Sequence, residues 1–242
     1  MKALIIAAGS GRRIPQFSNK FPKSLIKINN ETLLERQIRF FRSLKIRKIA
    51  VIVGHKHEKI TKKIKNVKFY YNYKFKKNEQ LDSMFVAKKF FTEDIIVVFS
   101  DIIYEKKIIL SLKNCKKKKF LIAARKHWKR IYKYRFDHPV SQADKIISRN
   151  GRVLSIGKNI SANKANGEFL GMFKISKNFL VNLIHIYNNL NKNKSKKMQI
   201  NDLIKILIKK KIIVNSINVS GKYMEIDTYN DYKIANHFFS HF

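Results

Sequence analysis

The chain has 242 residues, 45% of them hydrophobic, enough for one α/β domain or two tightly joined lobes around a sizeable core, with no need of a separate linker. Its formal net charge is +37, but the excess is nearly all lysine, runs from Lys2 to Lys233 and travels with a surplus of Ile, Asn, Phe and Tyr, so an A/T-rich genome explains it more simply than a nucleic-acid or membrane partner. The lone Cys115 excludes an intrachain disulfide and a cysteine-based zinc site, and no uninterrupted apolar run reaches ~18 residues, which excludes a membrane-spanning helix.

The N-terminus reads as a buried strand through Leu4, Ile5 and Ile6, without the apolar run and small-residue cleavage site of a signal peptide, and the expected location is cytoplasmic. The strand enters a small, glycine-rich turn (Ala7, Ala8, Gly9, Ser10, Gly11), presents Arg13, and closes on Pro22 and Lys23. Gly9 and Gly11 can adopt backbone angles that side chains forbid and leave peptide N–H groups uncovered for phosphate oxygens, while Arg13 and Lys23 supply charge. The stretch is therefore read as a triphosphate cradle. A dinucleotide-binding turn is excluded because Ile14 stands where a third glycine is needed, and the P-loop spacing is absent. The plain alternative is a strand-turn-helix corner, against which the ordered run of Arg, Pro-Lys and helix start argues.

Thr32 with Glu35 reads as a capping box, and Leu33, Leu34, Ile38, Phe41 and Leu44 form the apolar stripe of the helix that follows. A strand at 48–53 ends in Gly54-His55, placing His55 at the carboxyl edge of the sheet, where ligands bind in open α/β folds. Helix 58–64 and strand 67–72 continue an alternation that implies a parallel sheet. Residues 78–87 read as a polar loop entering a helix, with Gln80, Asp82 and Ser83 either facing the cleft or capping the helix start. The continuously apolar 95–99 has the pattern of a central parallel strand and delivers Ser100-Asp101. An acid there, in a chain poor in acids, is the second strong signal; its plain reading is a cap for a helix beginning near Glu105.

The second half opens with a strand at 120–124, a hairpin around Asn150-Gly151 and another strand at 167–175. Residues 128–144, with Arg130, Arg135, Asp137, His138 and Asp144, are too polar for core and form a candidate acceptor-binding loop. Helices at 178–190 and 199–210 flank a lysine-rich turn, and a last strand at 212–219 leads to Glu225 and Asp227 before a terminal helix from Tyr229. Asp227 is either a site acid or the cap of that helix.

The segments AAGSGRRI, FPKSLIKI, TLLERQI, VGH, FSDI, GEFLGMFKIS and MEIDTYNDY resemble the small nucleotidyltransferases that couple a nucleoside triphosphate to a phosphorylated small molecule, along essentially the whole chain. Short length, Leu81-Asp82-Ser83 and the ending GKYMEID make it similar to the cytidylyltransferases for phosphocholine, aminoethylphosphonate and related phosphonate or phosphoamide acceptors. With the element order, the resemblance implies an α/β, Rossmann-like three-layer sandwich with a mostly parallel central sheet and a smaller mixed β region in the second half. It implies one domain over 1–242, with a nucleotide-binding half (1–115) and an acceptor-binding half (116–242) compatible with homodimer formation.

The same resemblance implies that Ala7, Ala8, Gly9, Ser10 and Gly11 hold the nucleotide, that Arg13 grips the β- and γ-phosphates, and that Lys23 binds the α-phosphate and the acceptor. Gln80 and Ser83 fall on the nucleotide side, and Asp101 and Asp227 carry Mg²⁺. Lys23, Arg13 and Asp101 are the catalytic candidates; Arg135, Asp137, Asp144, Lys158 and Glu168 are the acceptor candidates. Ser100 stands where many relatives have Gly, and Gln80 where the phosphonate enzymes carry Asn, a departure that bears on base or acceptor choice. The implied reaction joins CTP to a small phosphorylated or phosphonate acceptor with release of pyrophosphate, and an acceptor that is already an anion needs no general base. A sugar-1-phosphate nucleotidyltransferase using UTP, TTP or GTP for surface polysaccharide is the nearest rival. A non-catalytic nucleotide or nucleic-acid binder is opposed by the joint presence of Arg13, Lys23, Asp101 and Asp227 and by the lack of arginine-aromatic clustering.

Overall fold

The computed structural model describes residues 1–11, 13–116 and 118–240; Arg12 of the opening motif lies outside them. The first half runs β1 (Lys2–Ala7), α1 (Pro15–Ser18), the short pair β2 (Lys27–Ile28) and β3 (Glu31–Thr32), α2 (Leu33–Ser43), β4 (Lys48–Val53), α3 (His57–Lys63), β5 (Lys68–Tyr71), α4 (Gln80–Val86), β6 (Ile95–Phe99), β7 (Ile102–Tyr104) and α5 (Lys106–Asn114). The second half adds β8 (Phe120–Arg125), α6 (Lys129–Tyr132), β9 (Lys145–Arg149), β10 (Arg152–Gly157), β11 (Gly167–Ile175), α7 (Lys177–Asn188), α8 (Lys192–Ser195), α9 (Ile200–Lys209), β12 (Val214–Asn218), β13 (Tyr223–Glu225) and α10 (Tyr229–Phe238).

Side chains alternate across a strand, and here the alternation separates two cores. Leu4, Ile6, Ala50, Ile52, Ile95 and Val97 pack on one face against α4, α7 and α9. Ala3, Ile5, Val51, Val53, Ile96 and Val98 pack on the other against α2, α3 and α5. Strands buried on both faces must be apolar throughout, which is why β1 and β6 show no polar alternation. The expected three layers are therefore present.

Local signals hold where they were strongest. The Thr32 hydroxyl accepts from Glu35 N–H at 3.2 Å while the Glu35 carboxylate accepts from Thr32 N–H at 3.0 Å, starting α2. Asn150 (φ 49°) and Gly151 (φ 71°) form the two-residue turn joining β9 to β10, with both central residues left-handed as such a hairpin requires.

Sheet organisation differs from expectation. A single nine-stranded sheet runs β5-β4-β1-β6-β11-β8-β12-β10-β9, and the second-half strands extend it rather than forming a separate region. β5, β4, β1 and β6 are mutually parallel, as are β8 and β12, but β11 is antiparallel to both of its neighbours β6 and β8. The sheet is therefore mixed. A parallel return usually uses a crossover helix, whereas the chain between β8 and β11 carries the four-residue α6 and the β9–β10 hairpin. The polar segment 128–144 is also more buried than its composition suggests. Trp128, Tyr132 and Ala143 make a small core of their own, and Arg135 and His138 are buried beside it. Among the described residues no helix is long and apolar enough to cross a membrane.

Candidate active site

Parallel pairing brings the carboxyl ends of β1 and β6 together, and the two strongest motifs of the sequence emerge there side by side. The turn after β6 is pinned from α2, where Gln37 donates 3.0 Å hydrogen bonds to the carbonyl oxygens of Phe99 and Ile102. Asp227 arrives from the far end of the chain because β13 pairs antiparallel with β7, and Ile226 N–H donates to the Asp101 carbonyl at 2.9 Å. That two-stranded ribbon makes neighbours of Asp101 and Asp227. Neither acid is a helix cap: Glu105 occupies the position before α5, and Thr228 caps α10 in a capping box with Asp231.

Lys23 sits on a single helical turn following Pro22 and is buried. Its ammonium donates to Asp227 Oδ1 and stands 3.6 Å from Asp101 Oδ2. Arg13 reaches the second oxygen of Asp227 at 2.7 Å. Burial alone would push the Lys23 pKa down, but the charges of Asp101 and Asp227 outweigh it and raise it above the ordinary value. For Asp227, burial is outweighed by Lys23 and Arg13, so its carboxyl lies below the usual range. Asp101 moves the other way, pushed up by burial and by Asp227 against the pull of Lys23. Glu225, half-buried two residues before Asp227, is pushed well up by burial and by repulsion from Asp227 and Asp101. Three carboxyl groups thus share two cations.

A cavity of about 390 Å³ opens over this cluster. Ala7, Gly9, Ser10, Gly11, Arg13, Lys23, Gln80 and Asp101 line it, so most of the expected nucleotide residues come together. Ala8 is buried beneath, its carbonyl accepting from His55 N–H at 3.5 Å, and the His55 ring braces the loop through the Ser18 carbonyl at 3.2 Å. Ser83 is not in the lining. Its hydroxyl accepts from Asn72 at 2.9 Å and donates to the Glu79 carbonyl at 2.9 Å, tying α4 to the end of β5. Phe75, Lys76 and Glu79, from the connection between β5 and α4, complete the wall and carry no motif that sequence reading could have used.

A smaller cavity of about 70 Å³ adjoins the first, sharing Arg13, Gln80 and Phe99. Of the acceptor candidates, Asp144 and Lys158 line it. The other three do not. Arg135 is spent on a buried ion pair with Asp231 at 2.6 Å, Glu168 accepts from Tyr132 and pairs with Arg125 at 3.0 Å, and Asp137 is exposed. His138 and Gln142, from the candidate loop 128–144, also line the cavity, as do Gln199, Tyr223 and Glu225, which were not among the acceptor candidates. The available signal was the position of His138 within the polar segment and of Glu225 two residues before Asp227.

Gly11 shows why the loop needs glycine. Its φ is +64°, and a Cβ built there would lie 2.9 Å from Cγ of Lys23. Gly11→Ala is expected to lose about 1–2 kcal/mol of stability from the left-handed backbone and roughly 10- to 100-fold in turnover from displacement of the ammonium. Thermal unfolding and pyrophosphate release measure the two effects separately; wild-type behaviour in both would show that Lys23 does not need this approach.

The chain belongs to the MobA-like NTP transferase domain family, whose model matches residues 3–154. It is a nucleotidyltransferase. It is 26% identical over 250 residues to the CTP:phosphoglutamine cytidylyltransferase of Campylobacter jejuni subsp. jejuni serotype O:2, covering 97% of this chain and 98% of that one. It is 30% identical over 129 residues to the choline-phosphate cytidylyltransferase of Haemophilus influenzae, covering 52% of this chain and 55% of the relative. The fold matches the inositol-1-phosphate CTP transferase of T. maritima with a TM-score of 0.80 at 16% identity, over 97% of this chain and 93% of the other.

Proposed function

We propose that the chain transfers a cytidylyl group from CTP to a small phosphorylated or phosphonate acceptor carrying an amine, alcohol or amide. An acceptor oxygen forms the new bond to the α-phosphorus of CTP, the bond to the β-phosphate oxygen breaks, and pyrophosphate leaves with its electron pair. The observation that carries this reading is the Lys23 ammonium held between Asp227 and Asp101 at the floor of a cavity whose rim is the glycine-rich turn and Arg13. The end-to-end match to a CTP-dependent relative supports the choice of nucleotide.

In this reading Lys23 orients the α-phosphate and meets the charge that grows as two anions approach, and Arg13 binds the β- and γ-phosphates that depart. Both are already fixed by Asp227, so little reorganisation accompanies the reaction. Backbone N–H groups from Gly9 to Gly11 approach the phosphates, with Gln80 on the base or acceptor side. Residues 1–115 serve the nucleotide; in 116–242, Asp144 and Lys158 face the acceptor, while Arg135, Asp137 and Glu168 act at most through neighbours.

A hard divalent cation, Mg²⁺, fits Asp101 and Asp227, because the site holds more carboxyl groups than cations and Asp101 is pushed up by burial and by Asp227. When bound it supplies further positive charge against the triphosphate. His138, Glu225 and Asp227 also bring potential ligand atoms within 4.8 Å of one another, but His138 Nδ1 is taken by Arg135. Cytoplasmic location belongs to the same reading. So does a homodimer through the second half, where Leu154, Val181 and Ile213 are exposed.

The test is pyrophosphate release with Mg²⁺, CTP, UTP, GTP or TTP, and a panel of phosphoglutamine, phosphocholine, aminoethylphosphonate and sugar 1-phosphates. CTP with a phosphoamide, phosphoamine or phosphonate is expected to be fastest. Turnover only with a sugar 1-phosphate and another nucleotide would refute the proposal.

A further inference from the structure

His138, from the candidate loop 128–144, is 2% exposed and lines the smaller cavity. Its Nδ1 lies 2.7 Å from Nη2 of Arg135. A guanidinium only donates, so Nδ1 must accept, and the proton of the ring resides on Nε2. The carboxylate oxygens near the same edge, Asp231 Oδ2 at 3.4 Å and Asp227 Oδ2 at 3.7 Å, receive no proton from Nδ1. Asp231 already accepts from Arg135 Nε at 2.6 Å and from the backbone N–H groups of Asp227 and Thr228 at 3.0 and 2.9 Å. Arg135 is further held by the Glu225 carbonyl at 3.0 Å, so it cannot rotate away without breaking three bonds.

Nε2 has no hydrogen-bond partner among the described residues. Buried donors are almost always paired, and one left unpaired on a residue that lines a cavity is explained by a partner that arrives with the substrate. We propose that His138 is an acceptor-binding residue whose Nε2–H donates to an oxygen of the phosphorylated acceptor, with Arg135 and Asp231 as positioning residues that fix its tautomer. The inference rests on the proposed function. It also removes His138 from the metal ligands, since neither ring nitrogen keeps a free lone pair in this arrangement.

The experiment compares His138→Leu and His138→Gln with wild type, using phosphoglutamine and phosphocholine as acceptors and CTP as donor, after thermal melting has verified folding. His138→Leu is expected to raise the acceptor KM about tenfold, the loss of one hydrogen bond, with the CTP KM within about twofold. His138→Gln, which keeps a donor near the Nε2 position, is expected to recover most of that loss. A rise with both acceptors assigns the bonded oxygen to the phosphoryl group; a rise with phosphoglutamine alone assigns it to the amide carbonyl. In parallel, ¹⁵N spectra of histidine-labelled protein are expected to show a protonated Nε2 and a bare Nδ1, assigned by difference from His138→Gln. An unchanged acceptor KM in His138→Leu, an equal rise in the CTP KM, or a proton on Nδ1 overturns the inference. A wild type inactive with every acceptor would instead overturn the proposed function, and the tautomer spectrum, which needs no turnover, then decides His138 by itself.

Discussion

Lys23→Met is expected to lower turnover by roughly three orders of magnitude while the protein still folds. The argument is electrostatic. Among the described residues Lys23 is the buried ammonium in contact with both Asp101 and Asp227, while the other cations lining the larger cavity, Arg13 and Lys76, are exposed. Arg13 contacts the outer oxygen of Asp227 and its side chain is 57% exposed, which suits the departing phosphates at the rim better than the reacting phosphorus. Methionine keeps the length and apolar stem of lysine, so the packing of its methylene groups against Gly11 survives. What disappears is the charge. Asp227 then keeps Arg13 as its ion-pair partner, and its pKa rises towards the value that burial alone would give. The effect should fall on kcat more than on the apparent affinity for CTP, because an interaction that strengthens in the transition state is lost. Pyrophosphate release alongside a melting curve checks this, and a variant within tenfold of wild type would remove Lys23 from the catalytic set.

The features readable from the sequence were those built from neighbours along the chain. The capping box of Thr32 and Glu35, the Asn150-Gly151 turn and the glycines beside Arg13 each depend on a few consecutive residues, and each stands where expected. Asp101 and Asp227 were picked out because acids are scarce in this chain, and the β7–β13 ribbon supplies the physical reason they meet. Long-range pairing was not legible. The insertion of β11 between β6 and β8 is decided by the whole sheet, and β11's own sequence fits either direction. Segment 128–144 reads as too polar for core, yet Arg135 and His138 within it are buried. Arg135 finds Asp231, 96 residues away, and only that partner makes its burial tolerable. Ser83 shows the opposite error: a polar residue at a helix start near the cleft, whose hydroxyl is used up by Asn72 and Glu79.

Asp231 should prove the most sensitive structural position near the site. Its side chain is fully buried, it pairs with Arg135 at 2.6 Å, and it accepts from two backbone N–H groups at the start of α10. Asp231→Ala removes the counter-ion of a buried guanidinium and the capping box together, so a loss of about 3–5 kcal/mol is expected, or roughly 10 °C in melting temperature for a chain of this size. Much of that loss comes from leaving Arg135 unpaired. Arg135→Ala with Asp231→Ala should therefore be less destabilising than the sum of the single changes, and strict additivity would show that the two do not interact. Activity should fall with stability, since Arg135 contacts His138 and bonds the carbonyl of Glu225, two residues that line the smaller cavity. The pair also sets a pH dependence. Burial opposes ionisation of Asp231, but its hydrogen bond from Arg135, the charge of Arg135 and the backbone N–H of Asp227 hold the carboxyl well below its ordinary value. A carboxyl depressed in the folded state contributes stability that is complete above its unfolded pKa, about 3.9, and that drains away as pH falls through the lower folded value. Wild type should accordingly lose stability steeply below about pH 4, whereas the double variant should show a shallower acid limb; an equal drop in unfolding free energy between about pH 7 and about pH 3 in both proteins, measured by chemical denaturation, would mean that Asp231 carries no such linkage.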